Sequence, residues 1–338
     1  MAAGLLTLSM AGCGSVSGGV TPAGGDWSKS GGASSKTMVT VVKLKGIPWF
    51  DRMEKGVRTY GKRTGIDTRT EGGDDGSPEK QIQIIEDLIA QKPTAITVVP
   101  NSPEALSGVL AEAKAEGIIT VAHEATGIKN ADVDIEAFDN AVYGRKIMNN
   151  LGECMAGKGE YVQFVGRLTA KTHMEWVGAA YERQKAKFRG MKRVEDPIES
   201  TDNEATAYEK AKEVLAKHPN IKGFQGSASS NVPGIARAIE EAGREKDTCV
   251  MGTSIPSAAS KYLVTGAIDK IFFWDPALAG QAQLEIARIL AGGGKIMVGT
   301  DLGIKGYHNL KKLSGYDNVF IGDASIEADA ETANQYDF

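Results

Sequence analysis

Two consecutive series of strand and helix patterns constrain the fold of this chain more than any other feature. After residue 36, short apolar runs typical of buried strands alternate with segments whose apolar residues recur every three or four positions. Ile82, Ile85 and Ile89, for example, would line one buried face of a helix. Such alternation is typical of parallel sheets that are covered by helices on both faces. The sequence therefore predicts an α/β fold of two doubly wound parallel-sheet lobes joined by a hinge.

The lobe boundaries are predicted from the point where the alternation starts again, after a linker around 127–134. The later run Lys270–Pro276 is predicted to be a strand that returns towards the first lobe. We therefore expect two discontinuous lobes after an N-terminal segment of residues 1–36. They are lobe I, residues 37–125 plus 276–301, and lobe II, residues 126–275 plus 302–338.

The first strand and the loop after it are predicted to form a ligand site. A β-branched run ends at Val42, and a loop from Lys43 to Pro48 then leads to Trp49 and Phe50. The helix pattern opens near Asp51 and is expected to run to residue 64. In an open parallel sheet, the loop after the carboxyl end of a strand is where ligands bind.

The N-terminal residues 1–36 differ in composition from the rest of the chain. An apolar run leads into Met10-Ala11-Gly12-Cys13, a pattern typical of a bacterial lipoprotein signal in which the cysteine takes the lipid. A Gly/Ser-rich stretch follows at once and is typical of a disordered tether. No Lys or Arg precedes the apolar run, so a simple flexible terminus remains the alternative. We expect lipidation at Cys13 and, from it, an exported protein anchored to the membrane.

The two remaining cysteines, Cys154 and Cys249, leave two possibilities open. An exported protein could join them in a disulfide, but a sequence does not show the distance between two cysteines. We expect two buried thiols. Neither cysteine has the spacing of a metal site, so no metal is predicted.

Composition and motifs argue against several classes of function. The chain has 338 residues, 24% of them charged, with a formal net charge of -4, which gives no support for nucleic acid as a partner. No basic helix-turn-helix segment precedes the first strand, which disfavours a transcription repressor. The dinucleotide, P-loop, HExxH and GxSxG motifs are absent. His123 and His173 follow strands, where either ligand binding or catalysis could use them. We expect a binding protein without cofactors, not an enzyme.

Several segments, in their order along the chain, resemble the type I periplasmic sugar-binding proteins of ABC importers. The resemblance is closest to the branch that contains LsrB, an autoinducer-2 receptor, and the rhamnose-binding proteins. It implies a monomeric, hinged, two-lobed receptor that closes on a sugar and delivers it to a membrane permease. The segments are VVKLKGIPWF, QIQIIEDLIAQKPTAITVVPNSPEAL, GIITVAHEA, KTHMEWV, GTSIPSAASKYLVTGAIDKIFFWDP and the terminal YDF.

The chemistry of a sugar selects the candidate ligand-binding residues. Aromatic side chains cover the C–H faces of a sugar ring, and carboxylates, amides and cations bind its hydroxyls. Lys43 and Glu124 stand where the branch places ligand-binding Lys and Asp residues. The alternatives are a solvated lysine, an exposed loop carboxylate, core packing for the aromatic residues and a hinge ion pair for Asp275. The candidates are Lys43, Trp49, Phe50, Asn101, Glu124, Asp139, Asn140, Thr172, His173, Trp176, Ser227, Ser229, Trp274 and Asp275.

Two departures from the branch bear on the identity of the ligand. Thr172 and His173 stand where the signal-binding members have adjacent Asp and Gln, and Ser227-Ala228-Ser229 replaces a Pro-Asp-Ala loop. A buried polar group left without its partner costs about 1–3 kcal/mol, so such changes alter which ligand is accepted. We therefore favour a pentose, a hexose or a deoxyhexose such as rhamnose, with autoinducer-2 as the alternative.

Overall fold

A computed structural model describes Met1 and residues 36–338. The expected lipidation site at Cys13 and the Gly/Ser-rich tether lie outside the described residues. Within residues 36–338, no helix combines the length and the apolar character that a membrane span requires.

Strands and helices alternate along the described chain, as the sequence predicts. Most strands are short, and most are followed directly by a helix. The strands are β1 Thr37–Val42, β2 Asp67–Gly72, β3 Ala95–Val98, β4 Ile119–His123, β5 Val133–Glu136, β6 Lys158–Val165, β7 Gly190–Arg193, β8 Ile198–Glu199, β9 Ile221–Gly226, β10 Cys249–Thr253, β11 Lys270–Phe273, β12 Lys311–Lys312, β13 Val319–Ile321 and β14 Ile326–Ala328. The helices are α1 Pro48–Thr64, α2 Pro78–Gln91, α3 Pro103–Ala115, α4 Asn140–Cys154, α5 Lys171–Lys187, α6 Glu204–Lys217, α7 Asn231–Glu241, α8 Pro256–Thr265 and α9 Pro276–Ala291.

The strands form two sheets, and each sheet defines one lobe. The first sheet has the order β12-β13-β5-β4-β3-β1-β2, and the second has the order β14-β11-β10-β9-β6-β7, with β8 also paired to β6. All pairings are parallel except β12 with β13 and β11 with β14. The predicted class, two parallel-sheet lobes of an α/β protein, is confirmed.

Successive side chains of β1 are buried on opposite faces of the first sheet. Val39 and Val41 belong to a buried cluster that includes Ile85 of α2 and Leu110 of α3. Met38, one residue away, belongs to a second cluster, which includes residues of α1 and α9. Successive side chains of a strand point to opposite faces, so helices cover both sides of this sheet.

Three strands belong to the first lobe although they were predicted to belong to the second. β5, β12 and β13 belong to the first sheet, although residues 126–275 and 302–338 were expected to form lobe II. β5 is short and β12 and β13 lie in a segment without clear alternation, so their pairing is not visible in the sequence. The expected strand 270–273 is present, but it pairs with β10 in the second sheet. It is α9 that returns to the first lobe, where Gly56 of α1 allows it to approach closely, because a Cβ there would lie 2.1 Å from Ala277 O.

Helix α1 begins at Pro48, three residues before the expected start near Asp51. Pro48 occupies its first turn, and Trp49 and Phe50 follow it inside the helix. Proline suits the first helical position, because its fixed φ is helical and its missing N–H would have no partner there. The two aromatic residues are therefore held by a helix and do not belong to the loop.

Cys154 and Cys249 form a disulfide, so the prediction of two buried thiols is wrong. Their Cα atoms are 6.1 Å apart, at the end of α4 and the start of β10. Both positions lie at the end of the second sheet where its strands begin, opposite to their carboxyl ends. Asp269 lies 3.6 Å from the Cys154 sulfur, but sulfurs that are bonded to each other do not offer thiolate ligands to a metal.

Candidate functional site

Each sheet has a switch point at the carboxyl ends of its strands. β1 lies between β2 and β3 in the first sheet, and β6 lies between β7 and β9 in the second. Ligands of open parallel sheets bind in the crevice at such points. Lys43 follows β1 directly and Gly166 follows β6 directly. The two switch points therefore provide the two sides of a cleft between the lobes.

A cavity in this cleft has about 320 Å³ of empty space, including its open mouth. Most of that space belongs to the mouth, and the enclosed part of the cavity is small. Both lobes contribute to its wall. The lining residues are Lys43, Ile47, Trp49, Phe50, Glu124, His173, Trp176, Asp202, Ser227, Ala228, Ser229, Thr253 and Trp274.

A buried ion pair forms one wall of the cavity. Lys43 Nζ donates to Glu124 Oε2 at 2.5 Å, and both side chains are about 5% exposed. Asn101 Nδ2 donates to the main-chain oxygen of Lys43 at 3.1 Å and fixes the loop that carries the lysine. Glu124 has a left-handed backbone with φ 57°, an unusual conformation for a non-glycine residue that often occurs at functional sites.

Three indole rings and Phe50 supply the apolar part of the wall. Trp49 and Trp274 make an edge-to-face contact with ring centroids 4.6 Å apart, and Trp176 and Trp274 make another at 5.9 Å. Each of these side chains is buried, and Trp49 and Phe50 come from the first turn of α1. Rings that are locked by such contacts offer rigid apolar surfaces at little cost in conformational entropy.

Trp274 is fixed by a hydrogen bond between the lobes. Its Nε1 donates to His123 Nε2 at 3.2 Å, while His123 Nδ1 lies 2.5 Å from the main-chain oxygen of Ile135. His123 therefore carries its proton on Nδ1. Burial lowers its pKa, so the ring is neutral at neutral pH despite the nearby carboxylate of Glu124. His123 orients Trp274 and does not line the cavity.

His173 presents a neutral donor to the cavity. Its Nδ1 accepts from the main-chain N–H of Gly166 at 3.2 Å, so the proton of the neutral ring is on Nε2. Burial, and then the positive charge of Lys43, hold the pKa of His173 well below its usual value. A neutral imidazole N–H can donate a hydrogen bond to a ligand oxygen.

The serine loop after β9 supplies small polar groups. Asn231 Oδ1 accepts from the main-chain N–H groups of Ser227 at 3.1 Å and of Ala228 at 2.8 Å, which holds the loop in place. The Ser227 hydroxyl is buried, lines the cavity and has no protein partner among the described residues. A buried hydroxyl without a partner is a site that a ligand can satisfy.

Comparison with known proteins identifies the family of this chain. The model of the family described as "Periplasmic binding protein domain" matches residues 38–295, which is more than half of the chain. The chain belongs to the periplasmic binding protein family. The expected resemblance is thereby confirmed at the level of the family.

Several relatives of this periplasmic binding protein are named after sugars. The D-allose-binding periplasmic protein of Escherichia coli is 27% identical over 282 residues, covering 80% of this chain and 89% of its own length. The D-apiose import binding protein of Paraburkholderia graminis is 29% identical over 210 residues, 61% of this chain and 65% of its own length.

Solved structures share the fold of this binding protein over nearly the whole chain. LsrB from Clostridium saccharobutylicum, in complex with AI-2, has a TM-score of 0.82 at 18% identity, covering 89% of this chain and 100% of its own. A solute-binding protein from Clostridium phytofermentas with bound L-rhamnose has a TM-score of 0.82 at 19% identity, covering 90% and 100%. At sequence identities this low, the similarity shows a shared fold only.

The structure brings nine of the fourteen candidate residues together in this binding protein. They come from both lobes and include the ion pair, the aromatic side chains, the imidazole donor and the serine loop. The nine are Lys43, Trp49, Phe50, Glu124, His173, Trp176, Ser227, Ser229 and Trp274.

The remaining five candidates, which include Asn101, described above, lie outside the cavity wall, and most of them hold other residues in place. Asp139 caps α4 by accepting from the N–H of Val142. Asn140 Oδ1 accepts from Trp176 Nε1 at 2.7 Å and so orients that ring. Thr172 is buried, and its hydroxyl has no partner among the described residues.

Asp275, the fifth of these candidates, belongs to a hinge ion pair. Its carboxylate receives two hydrogen bonds from Arg52, at 2.9 and 2.7 Å, and also caps α9 by accepting from Ala277 N. The side chain lines a different cavity, next to Tyr336 and Phe338. The alternative role considered for this residue, a structural ion pair, is the one that its geometry fits.

Four residues of the cavity wall were not among the candidates: the apolar Ile47 and Ala228 and the polar Thr253 and Asp202. Thr253 ends β10, and its hydroxyl makes a hydrogen bond of 3.0 Å with Tyr143. Asp202 lies in the turn between β8 and α6 and also lines a second cavity beside the first. Its position directly before the helix cap Asn203 was the available signal, but β8 has only two residues and gives no recognisable strand pattern.

The two lobes also contact each other at the rim of the cleft. Arg167 of the second lobe donates to the main-chain oxygen of Asp75 at 2.7 Å, and Thr169 donates to that of Asn101 at 3.2 Å. Both donors follow β6, and both acceptors belong to loops of the first lobe. These hydrogen bonds hold the two sides of the cleft together.

Two buried acids of β5 lie behind the first lobe's part of the site. Glu136 accepts from the main-chain N–H of Ala125 at 2.9 Å and from the Thr126 hydroxyl at 3.1 Å. Burial, and then the charges of Glu124 and Glu175, raise the pKa of Glu136 to about 7. Burial also raises the pKa of Asp134, which is on the same strand.

Proposed function

We propose that this periplasmic binding protein captures a monosaccharide between its lobes and delivers it to the permease of an ABC importer. The observation that supports this most is the cavity wall, which combines rigid indole faces with a buried Lys43–Glu124 pair and with the Ser227 hydroxyl, which has no partner among the described residues. A sugar has complementary parts, since its C–H faces pack on aromatic rings and its hydroxyls both donate and accept.

The electrostatics of the cavity favour a neutral ligand over a sugar acid or a phosphate. The single lysine of the wall is already paired with Glu124 at 2.5 Å, and His173 is neutral. No cation of the wall is therefore left to bind an anion. The named relatives agree with this choice, because allose, apiose and xylose are neutral sugars. We favour a pentose, a hexose or a deoxyhexose such as rhamnose.

Autoinducer-2 is the second candidate ligand. Lys43 and Glu124 occupy positions where the autoinducer-2 branch has ligand-binding Lys and Asp residues, and the fold matches that of a LsrB structure. His173 and the serine loop differ from that branch, so the second lobe favours another ligand. Heating the purified protein and assaying the supernatant for autoinducer activity tests this candidate, and a silent supernatant counts against it.

We further propose that the protein is exported, anchored by a lipid on Cys13, and active as a monomer. The Cys154–Cys249 disulfide supports export, because disulfides persist in oxidising compartments such as the periplasm. Incorporation of labelled palmitate into the wild type but not into Cys13→Ala would support the lipid anchor. Equal labelling of both proteins would contradict it.

A thermal-shift screen tests the proposed ligand class. Pentoses, hexoses, deoxyhexoses and sugar acids are each added to the purified protein, and the melting temperature is measured. A narrow subset of neutral sugars should raise it, because a ligand that binds only the folded state stabilises that state. No shift with any neutral sugar would exclude the proposal. Recovery of the bound sugar unchanged after long incubation separates a binding protein from an enzyme.

A further inference from the structure

Asp202 is a buried carboxylate that forms no hydrogen bond or ion pair within residues 36–338. It lines the cavity and is 8% exposed. Among the described residues, no donor makes a hydrogen bond or an ion pair with its side chain. Glu124, the other carboxylate of the wall, differs in this respect because it receives a hydrogen bond from Lys43. A buried polar group is normally satisfied, so an unpaired carboxylate points to a missing donor.

The surrounding structure holds this carboxylate at the cavity. Thr201 and Asp202 both have a left-handed backbone with φ 55°, a conformation that non-glycine residues seldom adopt. Gly166, at the switch point of the second sheet, leaves room for the side chain, since a Cβ there would lie 2.0 Å from Asp202 Oδ1. The cap of α6 is supplied by Asn203, so Asp202 is not needed for that purpose.

The charges around Asp202 indicate which kind of donor it would receive. Lys43 is paired with Glu124, and Arg167 Nη2 donates to the main-chain oxygen of Asp75, while the buried Arg167 Nε has no partner among the described residues. Burial raises the pKa of Asp202, and the positive charges of Lys43 and Arg167 oppose this shift without forming an ion pair with the carboxylate. Two carboxylate oxygens can accept from two neighbouring hydroxyls of one ring, and such charge-assisted bonds are stronger than neutral ones.

We propose that Asp202 accepts hydrogen bonds from two adjacent hydroxyls of the bound sugar and thereby determines which sugars are accepted. This rests on the proposed function, and it assigns the specificity of the second lobe to a residue outside the segments that resemble the family. Sugars that lack either hydroxyl would leave the buried carboxylate unpaired, and a site of this kind rejects such analogues strongly.

The test combines variants of Asp202 with deoxy analogues of the best sugar from the wild-type screen. Isothermal titration should show that Asp202→Asn and Asp202→Ala each raise Kd by at least about tenfold. The matched control is Glu199→Gln, which removes a negative charge from the same segment but not from the cavity wall. In the wild type, removal of either of two adjacent hydroxyls should cost at least about tenfold, and in Asp202→Ala the same removals should cost much less.

The outcomes separate this proposal from the function on which it rests. If the wild type binds a sugar but folded Asp202→Asn keeps its affinity, Asp202 is not a specificity determinant and the sugar-binding function stands. If both variants fail to fold, the wild-type deoxy series decides, because tolerance of every single deoxygenation would overturn the proposal. If the wild type binds no sugar, both proposals fail.

Discussion

Lys43 and Glu124 face each other across the edge of the first sheet, with Nζ and Oε2 2.5 Å apart. Lys43 follows β1 and Glu124 follows β4, so the pair spans the end of β3, which lies between these strands. Each charge compensates the other in a place that water hardly reaches. Loss of one partner would leave the other buried and unpaired, which costs about 3–5 kcal/mol in comparable sites.

We predict that Lys43→Ala and Glu124→Ala each weaken sugar binding at least tenfold while the protein remains folded. The reason is that either change removes a proposed ligand contact and leaves the other side chain of the pair charged, buried and without its partner. Isothermal titration and thermal melts measure the two effects. Lys45→Ala is the control, because Lys45 is largely solvent-exposed and lies outside the cavity. Wild-type affinity in both variants would place the site elsewhere.

Ligand binding should change the tryptophan fluorescence of this protein. The chain has 4 tryptophans, and Trp49, Trp176 and Trp274 line the cavity. A sugar that packs on these rings displaces water and alters their emission. Titration of the wild type should give a saturable change, and Trp274→Phe should lose part of it. Emission that stays constant while calorimetry reports binding would show that the ligand does not touch the rings.

Removal of the disulfide should affect stability but not affinity. Cys154 and Cys249 are 95 residues apart in sequence, and loss of a native disulfide commonly costs about 2–5 kcal/mol. The bridge lies at the opposite edge of the second sheet from the cavity, so Kd should stay within about threefold of the wild type. Urea unfolding and titration of Cys154→Ser/Cys249→Ser measure both quantities. A large loss of affinity would show that the disulfide and the ligand cavity are coupled.

Glu136 should make the protein less stable as the pH rises. Its pKa is raised to about 7, so between the ordinary glutamate pKa near 4.5 and about 7 the native state binds more protons than the unfolded state. The free energy of unfolding therefore falls as pH rises through this window, by on the order of 3 kcal/mol. Melts of the wild type from about pH 5 to about pH 8 should show this decline.

The variant Glu136→Gln should flatten that dependence. The neutral amide can still accept from Ala125 N and the Thr126 hydroxyl, but it loses no proton. Asp134 would keep part of the slope, since its pKa is raised as well. Glu112→Gln, on the exposed side of α3, is the control and should retain the wild-type slope. Equal slopes for Glu136→Gln and the wild type would contradict the assignment.

Asp275→Asn should lower stability without changing which sugar binds. The change removes an ion pair whose two side chains are 17% and 11% exposed, and about 1–3 kcal/mol is expected for charged hydrogen bonds of this kind. The amide can still cap α9. Thermal melts and titration should therefore show a lower melting temperature with little change in Kd. A tenfold loss of affinity would instead show that Asp275 contributes to ligand binding.

The sequence predicted the strands and helices that show a clear apolar pattern, and the residues that directly follow such strands. Lys43 and Glu124 each follow an apolar strand, and the edge where parallel strands end is a fixed property of the fold. Trp49 was predicted to bind the ligand, and it lines the cavity, although its helix begins earlier than expected. In these cases a local pattern determines the position of the side chain.

Other features depend on contacts between distant segments. The disulfide requires the end of α4 and the start of β10 to meet, and β13 pairs with β5 although 183 positions separate Val319 from Glu136. Asp202 follows a strand of two residues, too short for any periodicity. Asn140 was predicted to bind ligand, but its distance from the cavity is fixed by the packing of α4 on α5.

The hydrogen bonds at the rim of the cleft have an evolutionary consequence. Arg167 and Thr169 both donate to main-chain oxygens, those of Asp75 and Asn101, and to no side chain of the first lobe. Every residue type offers a carbonyl in the same place, so position 75 can mutate without abolishing its acceptor, whereas the Asn101 side chain also holds the loop that carries Lys43. Selection can therefore change the side chain of Asp75 at the rim while the lobes still meet in the same way.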